Sequence, residues 1–454
     1  MKTAARRSAS QDLTQGPLAK QIFFFSVPLI LSNVLQVLFN MADVAVVGQF
    51  AGPLALGSVG STTILVSLFT GLLIGLSSGV NVLTALHFGA RSKKELSETV
   101  HSAAILCTLA GLLLLLVGTV FARDILSLLR TKEELIDGAA LYLRIYFLGM
   151  PALGIYNFGN AVFSAVGDTR RPLCYLSIAG AVNIALNLFF VIVCGMDVAG
   201  VAAASVISQY ISAALMTIAL FRCREGHGLR LSALRLYKSR SQTILALGIP
   251  SAFQHGIFAL ANLFIQMGVN SFSATMVEGN SAAANADGLI YDVMAAVYTA
   301  CSSFIGQNFG AGRWDRIRRS YLLCTVYAFG AGLTLGLLLL AFGPQFLSLF
   351  TREPEVVEAG MARLTIMGLS YGFSAFMDNS IAASRGLGKS LVPMVLVILG
   401  SCVFRVVWVC TVFAHFRTVP SLYLLYIFSW TITGAAEVLY FVRTSRRLRQ
   451  EHLA

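Results

Sequence analysis

Residues 20–46 read KQIFFFSVPLILSNVLQVLFNMADVAV and contain only two charged side chains, Lys20 at the start and Asp43 near the end. About 20 consecutive apolar residues suffice for a helix to cross the hydrocarbon core of a bilayer. This run is therefore long enough to span a membrane. Eleven further runs of similar character follow it, which explains why 57% of the residues are hydrophobic and only 12% charged. The sequence predicts an all-α membrane protein with twelve transmembrane helices.

The second half of the chain repeats landmarks of the first half in the same order and at nearly the same spacing, 221 or 222 positions. The corresponding pairs are Pro28 and Pro250, the Phe-Gly-Ala triplets at 88–90 and 309–311, the Leu-Ser-Leu triplets at 126–128 and 347–349, Gly167 and Gly388, and Pro172 and Pro393. Composition alone does not produce one common offset, so the pattern predicts a duplicated six-helix unit. In a membrane protein, duplicated halves are typical of transporters whose substrate site lies between the halves.

The predicted halves are two six-helix bundles, residues 1–221 and residues 242–454, joined by a charged cytoplasmic linker at 222–241. Basic residues indicate the orientation, because cytoplasmic loops carry an excess of Lys and Arg. The termini and even-numbered loops hold 25 basic residues, whereas the odd-numbered loops hold only Arg123, Arg130, Lys132, Arg352 and Arg417. We therefore expect both termini to be cytoplasmic in a cell (inner or plasma) membrane, and the halves to be related by a pseudo-twofold axis along the membrane normal.

Polar side chains recur at helical spacing inside several predicted spans, which marks a helix face turned toward a cavity or another helix. On the first span they are Ser32, Gln36, Asn40 and Asp43, on the sixth Ser205, Gln209 and Ser212, and on the seventh Ser251, His255, Asn262 and Gln266. Contacts between packed helices could explain any single Ser or Asn. The recurrence in both copies favours a shared central cavity.

Pro28 and Pro250 lie inside the first and seventh spans. Each removes one backbone hydrogen bond and favours a helix bend. A fixed structural kink and a bend that moves during transport are both compatible with the sequence.

Asp43 is one of few acids inside a predicted span, where a charge is costly unless it has a partner or a function. Apart from Lys20 at its start, the helix carries no basic residue. We predict that its carboxyl binds and releases a coupling proton. The alternative is a fixed hydrogen-bond acceptor for Asn183 or Asn187, which lie one turn apart on the fifth span.

Two further ionisable groups stand out in the second half. Asp378 lies in the inner half of the tenth span, on the same face as Tyr371, and occupies the position of Asn157 in the first copy. We predict that it is a coupling or cation-binding group. Arg405 lies deep in the eleventh span at the level of Asp292, as judged from a rise of about 1.5 Å per residue, so the sequence predicts a structural ion pair between them.

Other chemistry is not indicated. The net charge of +12 is dispersed among short loops, which is not typical of a nucleic-acid-binding surface. The six histidines and eight cysteines lack metal-ligand spacing, and no phosphate loop or nucleophile motif opens a helix. We therefore expect no enzymatic activity, no metal site and no cofactor, and an ion gradient as the energy source.

The chain resembles the multidrug and toxic compound extrusion (MATE) family, bacterial type. The resemblance rests on the order and repetition of several motifs: residues 28–48 with Asn40-Met41-Ala42-Asp43, the two Phe-Gly-Ala triplets, GDTRRP at 167–172, Asn183 with Asn187, and GQNFGAG at 306–312. It covers essentially the whole chain. It implies two six-helix bundles forming a V, alternating access to either side, and export of organic compounds in exchange for H⁺ or Na⁺.

The resemblance also implies roles for single residues. Asp43 falls where the first-helix acid of the family lies, and Asn183 and Asn187 fall where its fifth-helix partners lie. Asp378 matches the tenth-helix acid of sodium-coupled members. Those members carry a glutamate in the seventh helix, and this chain has Phe258 at the matching position, which departs from a standard second-half sodium site.

The predicted function is multidrug efflux antiport by a monomer in the lipid bilayer, with small organic cations or amphipathic drugs as cargo. Aromatic side chains in the second half could stack on flat organic cations, although ordinary packing is an alternative for each. These residues are Tyr298, Tyr371 and Phe376.

Two other functions are open at this stage. A flippase for a lipid-linked or amphipathic metabolite shares the implied fold, and a lipid pyrophosphate would require several cavity arginines, of which the sequence places only Arg405 at depth. A receptor or channel without active transport is the other alternative, which two halves with unlike acids do not favour.

Overall fold

The structure is a computed structural model that describes residues 11–129 and 131–453. The regular elements in these two ranges are all helical. The predicted all-α class is thus confirmed. Residues 1–10, Arg130 and residue 454, which belong to the predicted halves, lie outside the described residues.

Seven helices precede the predicted linker within the described residues. They are α1 (Leu18–Val46), α2 (Gly52–Gly89), α3 (Lys93–Leu128), α4 (Glu133–Phe147), α5 (Met150–Ala165), α6 (Arg170–Leu188) and α7 (Asp197–Arg222). Short π-helical turns, Val47–Ala51 and Phe189–Val193, continue α1 and α6.

Six helices follow in the rest of the described chain. They are α8 (Lys238–Val269), α9 (Ala274–Gly310), α10 (Trp314–Leu347), α11 (Pro354–Gly386), α12 (Leu391–Phe416) and α13 (Val419–Leu453). α12 contains two π-helical stretches, Ile398–Val403 and Val409–Phe413.

Nine helical stretches of the described residues are long and apolar enough to cross a membrane, or ten if the bent pair α4 and α5 forms one span. The first stretch, Leu18–Gly89, has 72 residues. One helix of that size would be about 108 Å long, more than three times the thickness of a hydrocarbon core. It therefore holds two crossings, α1 and α2, which meet at Gly52.

α11 is also long, but residues such as Asp378 and Asn379 make it more polar. With α4 and α5 taken together, these elements match the twelve predicted crossings.

The repeated sequence landmarks fall at turns with a left-handed backbone. Gly167 follows α5 with φ +90°, and Gly388 follows α11 with φ +77°. In the other repeated turn, Gly312 after α9 has φ +67°, and Arg91 after α2 has φ +55°. L side chains rarely adopt such angles, whereas glycine does so freely. Backbone geometry thus accounts for glycine at three of these four positions.

The chain folds as two compact units. The first unit comprises Leu31–Ala252 with the described residues before Gly16, and the second comprises Gly16–Ile30 with the chain from Phe253 onward. The start of α1 thus belongs to the second unit, and the start of α8 belongs to the first. In both helices the change of unit comes two residues after the proline, Pro28 or Pro250.

The predicted linker, residues 222–241, lies against α3 within the first unit, and its last residues already belong to α8. The backbone N–H of Arg230 donates to Nε2 of His101 at 2.9 Å, and the backbone N–H of Tyr237 donates to the hydroxyl of Ser102 at 3.0 Å. These bonds satisfy backbone groups that an irregular segment would otherwise leave unpaired.

Each unit has its own tightly packed interior. In the first unit the rings of Phe69 and Phe147 meet edge to face with centroids 4.9 Å apart, and Phe147 is fully buried. In the second unit α10 and α11 approach so closely that a Cβ on Gly336 would lie 1.9 Å from the carbonyl oxygen of Gly368. Small residues allow this close approach, as is common between membrane helices.

Candidate functional site

Asp43 lies in the last turn of α1 and is hydrogen-bonded to α6 and α7 of the same unit. Its Oδ1 accepts a hydrogen bond from Nδ2 of Asn187, and its Oδ2 accepts one from the hydroxyl of Ser205 at 3.1 Å. Nδ2 of Asn187 also donates to Oδ1 of Asn183 at 3.3 Å. Because Asn183 and Asn187 are one turn apart on α6, both face the acid. The structure thus groups three of the four predicted coupling residues and adds Ser205.

The groups around Asp43 are polar but uncharged. Asn183, Asn187 and Ser205 are 5%, 0% and 6% exposed, and Asp43 is half-buried. Among the described residues, none of the basic side chains forms an ion pair with Asp43. Oδ1 of Asn187 is buried and, in the same part of the chain, has no hydrogen-bond partner. Neutral amide and hydroxyl donors can hold a carboxylate, and an amide turned by half a rotation can accept a bond from a protonated carboxyl.

The other predicted cavity residues of the first unit lie outside this cluster. Gln36 and Asn40 are exposed on α1, two turns and one turn before Asp43, and Gln209 is half-buried on α7, one turn after Ser205. Their positions continue the polar faces of the two helices without adding a hydrogen bond to the acid.

In the second unit, the predicted residues are spread over several helices. Asp378 is half-buried on α11, where the charges of Arg385 and Arg405 act on it. His255 on α8 is half-buried, whereas Asn262, two turns further on, is exposed.

The three predicted aromatic residues differ in their surroundings. Tyr298 and Tyr371 are 7% and 4% exposed, whereas Phe376 is 40% exposed and packs against the ring of Phe329. The hydroxyl of Tyr371 donates to Oδ1 of Asp287. Phe376 is therefore the one of the three with most surface free for contact with another molecule.

A buried ion pair in the second unit was missed by the sequence analysis. Arg363 on α11 is 5% exposed, and its guanidinium donates to Oδ2 of Asp287 on α9 and to Oδ1 of Asn280. Tyr423 on α13 also donates to Oδ1 of Asn280, at 2.6 Å, and Tyr371 completes the network. The signal was present, because Arg363 falls inside the predicted tenth span and Asp287 inside the eighth.

The predicted ion pair between Asp292 and Arg405 is not formed, which corrects that expectation. Arg405 on α12 is 3% exposed and donates from Nε to the hydroxyl of Ser429 at 3.1 Å. Its guanidinium lies 4.7 Å from the ring centre of Tyr426 and 5.5 Å from that of Phe258. Aromatic faces attract cations, so these rings take the place of a carboxylate.

Phe258 therefore has a structural role in this chain. At the position where the family resemblance implied a glutamate in sodium-coupled members, the ring of Phe258 lies beside Arg405. No three His, Cys, Asp or Glu side chains converge as metal ligands within the described ranges.

A family model described as MatE matches residues 28–189 and 250–411, together more than half of the chain. The two matched stretches begin 222 positions apart and end 222 positions apart. This match confirms the duplication predicted from the repeated landmarks.

Curated relatives align along most of their length. The probable multidrug resistance protein YpnP of Bacillus subtilis (strain 168) is 29% identical over 397 residues, which cover 87% of this chain and 88% of YpnP. The probable multidrug resistance protein NorM of Thermotoga maritima is 25% identical over 395 residues, covering 84% of this chain and 82% of NorM. The FAD transporter of Shewanella oneidensis is 23% identical over 367 residues, covering 79% and 80%.

Solved structures share the fold. One described as the outward-facing conformation of a multidrug resistance MATE family transporter of the MOP superfamily superposes with a TM-score of 0.91 at 20% identity, covering 98% of this chain and 100% of that chain. One described as MATE in the bent conformation gives a TM-score of 0.90 at 21% identity, with 97% and 98% covered. From the duplicated family match along α1–α6 and α8–α12, the chain belongs to the MATE family of transporters and is not an enzyme.

Proposed function

We propose that this chain is an antiporter that exports cationic or amphipathic organic compounds in exchange for H⁺ or Na⁺ by alternating access. The observation that carries the proposal is the Asp43 cluster, in which a half-buried carboxyl is held by the amide of Asn187 and the hydroxyl of Ser205. No buried arginine or lysine in the described ranges depends on the negative charge of this carboxyl. Its charge can therefore change at no cost to a basic partner. It is thus suited to bind a coupling ion reversibly.

Ion binding at Asp43 would rearrange its hydrogen bonds. The carboxylate accepts from Asn187 and Ser205, whereas a protonated carboxyl also needs an acceptor. The buried, unpartnered Oδ1 of Asn187 could supply it after rotation of the amide. A sodium ion could use the same amide oxygen together with the carboxylate, because Na⁺ as a hard cation prefers oxygen ligands. Both ions would thus reorganise the contact between α1 and α6.

Coupling requires that ion and cargo favour opposite conformations. A difference of a few kcal/mol between the two conformations suffices for each ligand. In the proposed cycle, the outward-open state exposes Asp43 and Asp378 to external cations, whose binding favours cargo release and return to the inward state. Asn183 would help to orient Asn187, to which it is hydrogen-bonded.

We assign cargo contact to the polar and aromatic residues that the sequence places on cavity-facing stripes. These residues are Gln36, Asn40, Gln209, His255, Asn262, Tyr298, Tyr371 and Phe376. Phe376 is the most exposed of the aromatic members and is suited to stack on a flat cation. Tyr371 already uses its hydroxyl for Asp287, so it would contribute mainly its ring.

An anionic amphipathic cargo is a second candidate, and two observations favour it. One relative is an FAD transporter. The second unit also carries two buried arginines, Arg363 and Arg405, and a half-buried one, Arg385. Arg405 lacks an ion-pair partner among the described residues. The sequence placed only one arginine at depth, so the structure strengthens this alternative, which includes a flippase for an amphipathic metabolite.

We further propose a multi-pass monomer in the cell (inner or plasma) membrane with both termini cytoplasmic. This orientation follows from the excess of Lys and Arg in the termini and even-numbered loops.

Transport in proteoliposomes tests the function. Purified protein is reconstituted, tetraphenylphosphonium is supplied as a probe cation, and its movement is followed under a pH gradient alone and then under a sodium gradient alone. The proposal expects movement of the probe against its own gradient under at least one of them. Movement of FAD but not of the cation would favour the second candidate, and movement of neither under either gradient would reject active export.

A further inference from the structure

Glu437, in the middle of α13, is a buried acid with no role in the ion exchange proposed for Asp43 and Asp378. It is 0% exposed, and neither of its carboxylate oxygens has a hydrogen-bond partner among the described residues. It also lies inside the predicted last span, residues 419–442. An isolated carboxylate in such a place is costly, because neither water nor a donor compensates its charge. A neutral, protonated carboxyl avoids this cost.

The charged groups that act on Glu437 lie on α11. They are Arg385 and Asp378. Arg385 forms no ion pair with either acid. NH2 of its guanidinium instead donates to Oε1 of Gln254 on α8 at 2.6 Å. Its Nε is buried and has no hydrogen-bond partner in the part of the chain that the structure describes. Arg385 is therefore close enough to respond to a charge on Glu437 and has an unused donor.

Other titratable groups surround this cluster. The charge of Arg385 acts on His255 on α8 and on Tyr291 on α9, and the charge of Arg405 on α12 acts on Asp378. Two arginines and two acids therefore form the charged part of the cluster. When Asp378 is ionised and free of a cation, the positive charge exceeds the negative charge by one with Glu437 protonated, and the two are equal with Glu437 ionised.

The positions of these residues along their helices indicate their order from the cytoplasmic side of the membrane. Glu437 lies five residues before the predicted cytoplasmic end of its span, a distance of about 8 Å along a helix. Arg385 is in the last turn of α11, which ends at Gly386, and Asp378 lies two turns deeper. In the predicted orientation, Glu437 and Arg385 thus lie between Asp378 and the cytoplasm.

We propose that Glu437 is a proton-binding site of the exchange cycle on the cytoplasmic side of Asp378. The carboxyl carries the proton in the conformation described here. When the proton leaves to water, Arg385 exchanges its hydrogen bond with Gln254 for an ion pair with the Glu437 carboxylate. Arg385 is a positioning residue in this step. The inference rests on the proposed antiport function, but its test includes a measurement that does not require transport.

Infrared difference spectroscopy of the full chain in lipid, between acidic and alkaline buffer, tests the proton on Glu437. Protonated carboxyls give a C=O stretching band, and one component of this band in the wild-type spectrum should come from Glu437. That component should disappear at alkaline pH. Glu437→Gln should lack that component, and Glu437→Asp should shift it. Glu451→Gln, which changes an exposed acid of the same helix paired with Arg447, is the matched control and should keep the Glu437 component.

The Arg385→Gln variant distinguishes two roles for Glu437, a proton-binding site and a purely structural acid. Without the arginine, the Glu437 component should persist to more alkaline buffer, because the carboxylate loses its ion-pair partner. A structural acid that never ionises would give no such component in either protein. Identical difference spectra for the wild type and a folded Glu437→Gln or Glu437→Asp variant would overturn the proposal.

Transport distinguishes this inference from the proposed function. In proteoliposomes, Glu437→Gln should lower the pH-gradient-driven movement of tetraphenylphosphonium by roughly 5- to 150-fold, the usual range of coupling between two sites. Wild-type rates in Glu437→Gln with an unchanged spectrum would reject the proton site and leave antiport intact. A Glu437 band in a wild-type protein that moves no cation would reject antiport and leave the proton site intact.

Discussion

Asn187 donates a hydrogen bond from Nδ2 to Oδ1 of Asp43, a residue 144 positions earlier in the chain. The amide is fully buried, and the same nitrogen also donates to Asn183. One side chain on α6 therefore connects the acid of α1 with the polar face of α6. Any change in the charge of Asp43 therefore acts directly on this amide, as it does on the hydroxyl of Ser205.

Asn187→Ala should impair coupled transport more than it impairs folding. A hydrogen bond to a charged group is worth about 1.5–3 kcal/mol, so its loss should lower the rate of ion-driven transport about tenfold or more. Asn157→Ala is the matched control in the same unit, because Asn157, among the described residues, bonds only to the carbonyl of Leu153 on its own helix. Equal transport rates for the two variants in proteoliposomes would remove Asn187 from the coupling site.

The duplicated turn glycines should differ in their tolerance of a side chain. Both Gly167 and Gly388 have positive φ, so alanine should cost roughly 1–2 kcal/mol at either position. At Gly167 the new Cβ would also lie 2.5 Å from the carbonyl oxygen of Gln11, whereas at Gly388 it meets nothing within 4 Å. Thermal unfolding in detergent should therefore give a lower melting temperature for Gly167→Ala than for Gly388→Ala. The reverse order would contradict this account of the two turns.

Removal of Arg363 should destabilise the protein strongly. Arg363→Met leaves the carboxylate of Asp287 without its cation. Breaking a fully buried ion pair in this way costs about 3–5 kcal/mol, and the loss here should be somewhat smaller because the Asp287 side chain is 27% exposed. The double variant Arg363→Met with Asp287→Leu should regain part of the loss, since both charges are then absent. Arg123→Met provides the control, because its pair with Asp137 is 59% and 78% exposed and such pairs contribute little. Similar melting temperatures for Arg363→Met and Arg123→Met would show that the buried pair is not a source of stability.

His227 in the linker should make stability depend on pH. Burial lowers the pKa of His227 below its ordinary value of 6.5, against the opposing charge of Glu225. In the unfolded chain this histidine binds a proton as the pH falls below 6.5, whereas the folded protein resists it to lower pH. Its contribution to stability is therefore complete above pH 6.5 and is lost as the pH falls below that value.

His227→Gln should remove the pH-dependent contribution of His227 to stability. The difference in melting temperature between the wild type and the variant should therefore narrow on acidification. Glu225→Gln should enlarge the acid-side loss, because it removes the charge that raises the pKa of His227. A difference between the wild type and His227→Gln that stays constant across the pH range would refute the assignment.

The helical architecture was accessible from the sequence because hydrophobic length and repeated landmarks are properties of single segments. Pro28 and Pro250 marked equivalent helices, and the repeated glycines marked equivalent turns. The polar residues of the fifth span made Asn183 and Asn187 candidate partners of Asp43, and the family resemblance implied the same grouping. Residue spacing alone does not specify which helices touch.

The partners of buried charges were less accessible. Arg405 was expected to pair with Asp292 from depth alone, but the structure holds it with Ser429 and aromatic rings. The position of a residue along a helix determines its depth in the membrane. It does not determine which neighbouring helix its side chain contacts. For the same reason Arg363 and Asp287, each within a predicted span, were not recognised as an ion pair.

The central claim is that binding of an ion at Asp43 drives cargo against its gradient, and uphill transport by Asp43→Asn tests it most directly. Wild type and variant are reconstituted in parallel, and accumulation of tetraphenylphosphonium is compared with its equilibrium binding and with downhill exchange. We predict that Asp43→Asn binds the cation and exchanges it downhill but does not concentrate it under a pH or sodium gradient. Accumulation by Asp43→Asn to the wild-type level would contradict the account.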